Sequence, residues 1–322
     1  MGRFTELDQA NGQRIAAAHG LGDCLEVIPI SAGTVNSNYF IATESGRFFV
    51  RLYEQQDVDG VVYEWALVDF LAKGGVPLPR RIPGPAAGEL RVHGKPVVVY
   101  ELVHGEDLCQ ARVDAARARA VGAALARASR VGREFPVIRA GRFGLPDVAV
   151  LLDRALTAGR PELAPSITRL KALHGELSER LPAGLPTGVV HGDLFRDNVL
   201  WDGDQLSALL DWESASDGVL VYDLAVLLLA WCCGDTLDWT LARAQVDGYR
   251  SERELEAAEW EGLWWHLRAG CLRFATTRII DVYLKGTYPP GYKEYQRFLQ
   301  RLDVIESLTP TQLADLMGRP KT

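Results

Sequence analysis

Residues 188–213 read GVVHGDLFRDNVLWDGDQLSALLDWE, and the fold turns on this stretch. A short apolar strand runs into His191-x-Asp193-x-x-x-x-Asn198, and a second apolar strand ends on Asp211. Phosphoryl transfer explains why these residue types occur together. A carboxylate must accept or orient the proton of an attacking hydroxyl, while an amide oxygen and a second carboxylate hold the magnesium that neutralises the β- and γ-phosphates of ATP. Asp193, Asn198 and Asp211 fill those places in turn. The strand–turn–strand between Asn198 and Asp211 predicts that both metal ligands return to one end of a hairpin. His191 is expected to pack and to hydrogen-bond the loop backbone, leaving the proton chemistry to Asp193. A solvated acidic loop, the competing view, does not account for the flanking strands and the second aspartate.

On the N-terminal side, a helix is predicted from about residue 7 to 19, stopped by Gly20. Three β-rich stretches follow at 25–31, 38–43 and 47–53, the last two joined by GluSerGly. The pattern of 61–73 is helical, with Trp65, Val68 and Leu71 on one face, and ValProLeuPro ends it. Strands at 89–92 and 96–102 complete a five-stranded antiparallel sheet with one helix, ending near Val103. From Asp114 the chain turns to Ala- and Leu-rich helices, interrupted by strand-turn units at 188–201 and 206–212. The predicted class is α+β in two unequal lobes, 1–103 and a mainly helical 104–322, divided at HisGlyGluAsp, residues 104–107. The apolar run 218–233 is too short to span a bilayer and contains Asp223, so it is expected to be a core helix whose carboxylate braces the catalytic loop.

With 322 residues, 48% of them hydrophobic, the chain has enough apolar side chains for a sizeable core. A net charge of −7 offers no basic field to a nucleic acid or an anionic membrane, so neither is an expected partner. Cysteines 24, 109, 232, 233 and 271 form no CxxC and no ligand-spaced cluster with histidine, which fits a reducing cytoplasm. MGRFTELDQA has no apolar secretion core, and Glu6 stands where a myristoylation signal needs Ser or Thr.

Four segments together resemble the aminoglycoside phosphotransferase and choline kinase-like superfamily, with the protein-kinase-like fold, and within it the homoserine kinases. They are HGDLFRDNVLWDG at 191–203, DGVLVYDLAVLLLAWCC at 217–233, AGTVNSNYF at 32–40 and CLRFATTR at 271–278. The resemblance implies ATP- and Mg2+-dependent transfer to a small-molecule hydroxyl, in the homoserine kinases a step of threonine biosynthesis. It places a phosphate-approaching glycine at Gly33, and the adenine-contacting backbone at Glu101 to Val103. Position 51 departs from the pattern. Kinases of this shape carry a lysine there; Arg51 keeps the charge but replaces a point ammonium with a planar fork, and Glu64 is its expected ion-pair partner. Between Asp211 and the TyrAspLeuAla helix start there is no room for an activation segment, which argues against a protein acceptor.

The residues leave several acceptors open. Homoserine needs a cation for its carboxylate, for which Arg273 and Arg278 are candidates, and a carboxylate for its ammonium, for which Asp217 is one. Trp260, Trp264 and Trp265 fall within two turns of one helix and would either fill a core or cage the quaternary ammonium of choline. An acidic cleft for an aminoglycoside, an ethanolamine site and a nucleotide-binding pseudokinase are the other readings. The sequence is silent on oligomeric state.

Overall fold

A computed structural model describes residues 5–30, 35–233, 236–286 and 294–320. In chain order the first elements are helix α1 (Gln9–Ala18), strands β1 (Cys24–Ile30), β2 (Ser37–Thr43) and β3 (Gly46–Leu52), helix α2 (Val58–Lys73), and strands β4 (Arg91–Val92) and β5 (Lys95–Glu101). Three helices follow, α3 (Ala115–Gly132), α4 (Leu145–Thr157) and α5 (Ala164–Arg180). Then come β6 (Thr187–Val190), β7 (Val199–Asp202), β8 (Gln205–Leu209) and β9 (Ser216–Val219). Helices α6 (Leu220–Trp231), α7 (Trp239–Glu252), α8 (Ala257–Arg278), α9 (Gln296–Glu306) and α10 (Pro310–Leu316) complete the chain.

These elements form two compact units. One is the chain up to Glu106 together with Leu200–Glu213, and the other is Asp107–Val199 with the chain from Ser214 onward. A single cut after residue 103 was the expectation. The 200–213 segment instead packs with the first unit, where Leu209 N–H donates to Pro77 O at 2.8 Å and Trp201 exchanges backbone bonds with Glu106.

The first unit is the expected five-stranded antiparallel sheet, in the order β1-β2-β3-β5-β4. Its strands alternate inward and outward side chains, and β5 is apolar on both faces because both are covered. Val97 and Val99 join Ile15 of α1, Ile41, Val50 and Leu52 in one core, while Val98 and Tyr100 join Val61 and Trp65 of α2 in another. Asp8 and Asp57 cap α1 and α2 by accepting the N–H groups of Asn11 and Gly60.

In the second unit, α6 is buried along nearly its whole length and packs on α8. Helices α3 and α7 approach backbone to backbone. A Cβ on Gly122 would lie 2.1 Å from Gln245 O, and one on Gly248 2.0 Å from Arg119 O, so neither position admits a side chain. One element escaped the sequence reading. Residues 218–219 belong to β9, which pairs with β6 through Gly188–Gly218 and Val190–Ser216, and α6 begins only at Leu220. Ser-Asp-Gly-Val has no strand periodicity of its own; its partner strand imposes the conformation. Among the described residues no helix is long and apolar enough to cross a membrane.

Candidate active site

The loop after β6 is organised by a buried carboxylate. Asp223, in the first turn of α6, accepts the backbone N–H groups of His191 and Gly192, each at 2.7 Å. Gly192 has φ +73°, which glycine adopts without strain. Burial pushes the Asp223 carboxyl up, against the pull of His191, the two N–H groups and Arg273. His191 is fully buried, and its Nδ1 accepts the Asp193 N–H at 3.2 Å, the structural role expected of it. The carbonyl of Asp193 takes the Phe195 N–H at 2.8 Å and Asn198 Nδ2 at 2.8 Å. The amide nitrogen of Asn198 is thus committed to the loop. Asn198 directly precedes β7, and Asp211 follows β8 by two residues.

Two arginines of α8 differ in what holds them. Arg273 is buried, donates through Nη1 to Gly192 O and to Tyr222 Oη (3.3 Å), and lies 4.4 Å and 4.5 Å from the ring centroids of Phe143 and Phe274. Burial opposes its charge, yet Tyr222, Asp193 and Asp223 hold its pKa above the ordinary arginine value. It braces the loop as Asp223 does. Arg278 donates only to Glu294 O, at 3.3 Å, among the described residues. Asp217 sits exposed in β9 with its N–H given to Arg139 O at 2.8 Å; the carboxylates acting on the two arginines are Asp193, Asp197 and Asp223.

In the first unit, Arg51 on β3 stands opposite Asn38 of β2 and donates to its Oδ1 at 3.2 Å. The expected pairing with Glu64 is present at 3.9 Å, and Asp211 is a second partner at 3.6 Å. Glu64 also accepts from Tyr53 Oη and Gln56 Nε2, both at 3.2 Å. Burial, with repulsion from Asp211 and Glu213, outweighs Arg51 and pushes the Glu64 carboxyl up to about 7. Asp211 adopts φ +63°, an uncommon conformation for a residue with a side chain. Its Oδ1, the atom paired with Arg51, is buried and accepts no hydrogen bond among the described residues. Among the described residues no three or more His, Cys, Asp or Glu side chains are placed to hold a metal ion by themselves. A dedicated protein cage for a metal is therefore absent from them; the Asp211 carboxylate and, separately, the Asn198 amide are each an oxygen donor of the kind magnesium accepts beside water and phosphate.

Glu101 ends β5, its N–H bonded to Arg80 O at 2.8 Å, and no described residue bonds the Val103 backbone. Gly33 lies outside the described residues. Sequence reasoning missed the Asn36 Nδ2 bond to Glu213 Oε2, 2.7 Å, which ties the start of β2 to the AspTrpGlu segment. The place of Asn36 within AGTVNSNYF and of Glu213 two residues after Asp211 was the available signal. The tryptophans do not form an open cage. Trp260 is buried, Trp264 Nε1 donates to Ile305 O and Leu308 O, and the Arg268 guanidinium lies 4.4 Å and 5.3 Å from the rings of Trp264 and Trp265.

The sequence profile of the phosphotransferase enzyme family matches residues 26–259. The chain is 33% identical over 287 residues to a homoserine kinase of Rhodopseudomonas palustris (strain BisA53), with 87% of each chain covered. It is 35% identical over 270 residues to one of Nitrobacter hamburgensis, with 82% of each covered. An amicoumacin kinase solved with AMP-PNP and Ca2+ superposes with a TM-score of 0.70 at 14% identity, over 94% of this chain and 95% of that one. A spectinomycin phosphotransferase solved with ADP and spectinomycin gives 0.66 at 14% identity, over 98% and 99%. At such identities the superpositions speak for the α+β protein-kinase-like fold, and the sequence relatives for the family. The chain belongs to the phosphotransferase enzyme family, among its homoserine kinases, and is a small-molecule phosphotransferase with an alcohol group as acceptor.

Proposed function

We propose that the protein phosphorylates the side-chain hydroxyl of L-homoserine in an ATP- and Mg2+-dependent reaction, a step of threonine biosynthesis. The observation that carries the acceptor is identity of 33–35% to homoserine kinases over more than four fifths of both chains. When bound, the magnesium nucleotide supplies the phosphoryl group and neutralises the charge that builds on it. Asp193 accepts or orients the proton of the acceptor hydroxyl. Its backbone is fixed on both sides by His191 Nδ1 and Asn198 Nδ2, so the carboxylate starts from a set position. Asn198 would offer its amide oxygen, because its nitrogen is bonded to the loop, and Asp211 would offer Oδ1, which accepts no hydrogen bond from the described residues and has the Arg51 ion pair at 3.6 Å. Arg51, paired with Glu64 and Asp211, would take the place of the strand lysine at the phosphates, and the backbone from Glu101 to Val103 would receive adenine.

A panel of L-homoserine, its amide, choline, ethanolamine and kanamycin tests the reading, scored by ADP release and product mass. Highest kcat/KM for L-homoserine is expected. Preferred turnover of choline, ethanolamine or kanamycin would overturn the acceptor assignment and leave the phosphotransferase assignment in place.

A further inference from the structure

Four guanidinium groups of the second unit act on one another where the catalytic loop, the end of α8 and α9 come together. They are Arg196 in the loop, Arg278 at the last residue of α8, and Arg297 and Arg301 on α9. Arg278 and Arg301 both lie against the Phe298 ring, 4.4 Å and 4.6 Å from its centroid, so two cations share one small aromatic support. Like charges gathered in a partly buried site repel, and a fold ordinarily offsets that with carboxylates. Here only Arg297 has such a partner, Glu294 at 3.8 Å. Among the described residues Arg196, Arg278 and Arg301 form no ion pair; they donate to neutral oxygens. Arg196 reaches Ala230 O at 2.6 Å, Arg278 reaches Glu294 O at 3.3 Å and Arg301 reaches Cys233 O at 3.4 Å. Arg196 Nε, Arg301 Nε and Arg301 Nη1 are buried with no acceptor among the described residues. A buried donor left unmet costs free energy, and three of them beside unpaired cations mark a place that lacks an anion.

The titration behaviour agrees. Burial first, and Arg301 next, pull Arg278 down to about 10. Asp193 and Asp197 act on Arg278 in the opposite sense, which sets Arg278 within electrostatic reach of the residue proposed to handle the acceptor hydroxyl. Arg273, by contrast, already has Gly192 O and Tyr222 Oη, and two rings enclose it.

We infer that Arg278 receives the carboxylate of the acceptor, with Arg196 and Arg301 as positioning residues behind it, and that Arg273 does not contact the acceptor. This assignment rests on the homoserine reading. The planar fork of Arg278 matches a carboxylate in two-point fashion, which a lysine cannot reproduce. Holding that end fixes where the other end of a short amino acid falls. The ordering of the acceptor hydroxyl therefore depends on a residue that never meets the transferred group.

The test compares L-homoserine with its amide in the wild type and in Arg278→Leu, Arg278→Lys and Arg301→Gln, with thermal melting to register folding. Arg278→Leu should raise the KM for L-homoserine at least about 30-fold, the effect of leaving one buried charge partner unmet. Its kcat/KM for the amide and its KM for ATP should stay near wild type, so the preference for homoserine collapses. Arg278→Lys should recover part of that preference, and Arg301→Gln should raise KM with little change in kcat. An unchanged homoserine-to-amide ratio in Arg278→Leu overturns the arginine assignment while the acceptor reading stands. If the wild type ignores homoserine, the acceptor reading fails, and calorimetry with L-2-aminobutyrate, an amino acid with no hydroxyl to phosphorylate, decides the subsite alone. Binding that Arg278→Leu abolishes upholds the assignment; no binding to the wild type, or equal binding to the variant, removes it.

Discussion

Replacing Asp223 should damage stability and turnover together, because its two carboxylate oxygens hold the backbone of the catalytic loop. The side chain is fully buried and accepts the N–H groups of His191 and Gly192, both at 2.7 Å. Hydrogen bonds to a charged group contribute about 1.5–3 kcal/mol each, so Asp223→Ala should lose about 3–6 kcal/mol. That is a large share of the roughly 5–15 kcal/mol that stabilises an ordinary domain. Asp223→Asn separates charge from shape. Its single oxygen can satisfy one of the two N–H groups, while its NH2 turns a donor towards the other, so about half the loss should remain. Arg273 also loses a nearby negative charge in both variants. Urea unfolding followed by tryptophan fluorescence measures the stability change. Single-turnover phosphorylation of the acceptor, at temperatures where the variants stay folded, measures the loop. A drop of about a hundredfold in the chemical step is expected, the scale of a 1 Å misplacement. An Asn variant within about 0.5 kcal/mol of wild type and with normal turnover would refute the reasoning, since ordinary surface changes fall in that range.

Glu64 predicts a pH effect. Its folded pKa of about 7 exceeds the unfolded 4.5, so the fold favours the neutral acid. That contribution is complete below pH 4.5 and lost as pH rises through 7. Relative to Glu64→Gln, nucleotide-free wild type should lose on the order of 3 kcal/mol across this window; parallel stability profiles would contradict it. Asp193→Asn should lower kcat at least about a hundredfold while equilibrium nucleotide binding persists, and near-normal turnover would exclude the proposed role. Asp211→Ala and, less severely, Asn198→Ala should weaken the magnesium dependence of nucleotide affinity, and unchanged magnesium titrations in both would place the metal elsewhere.

The legible parts of the chain are those whose signal is local. The β-rich stretches at 37–52 and 95–101 and the apolar face of 58–73 are legible because each signal is local and most pairings, β1 with β2, β2 with β3 and β4 with β5, join neighbours in sequence, although β3 finds β5 across the intervening α2. HisGlyAspLeuPheArgAspAsn is contiguous, and Asp223 stood out as a lone carboxylate in an apolar run. What resisted reading depends on distant partners. The β9 strand exists because β6, 25 residues or more upstream, offers it a ladder, and the 200–213 segment joins the first unit through Pro77 and Glu106. Neither dependence leaves a trace in the segment itself.

The two arginines of α8 make the same point with more consequence for chemistry. At about 100° per residue, positions five apart point roughly 140° away from each other, so spacing alone separates Arg273 from Arg278 without saying which is engaged. Their partners decide. Arg273 finds a carbonyl in the catalytic loop, 81 residues away, and becomes part of the scaffold. Arg278 lies near the Phe298 and Phe195 rings beside Arg301, donates to Glu294 O, and forms no ion pair among the described residues. An activity screen would score both as essential and so confuse them. Loss of Arg273 should appear as instability and lower turnover on every acceptor, whereas loss of Arg278 should appear as a KM defect confined to acceptors bearing a carboxylate. On the proposed assignment the two guanidinium groups serve different equilibria, folding for Arg273 and acceptor binding for Arg278, and these two variants tell them apart.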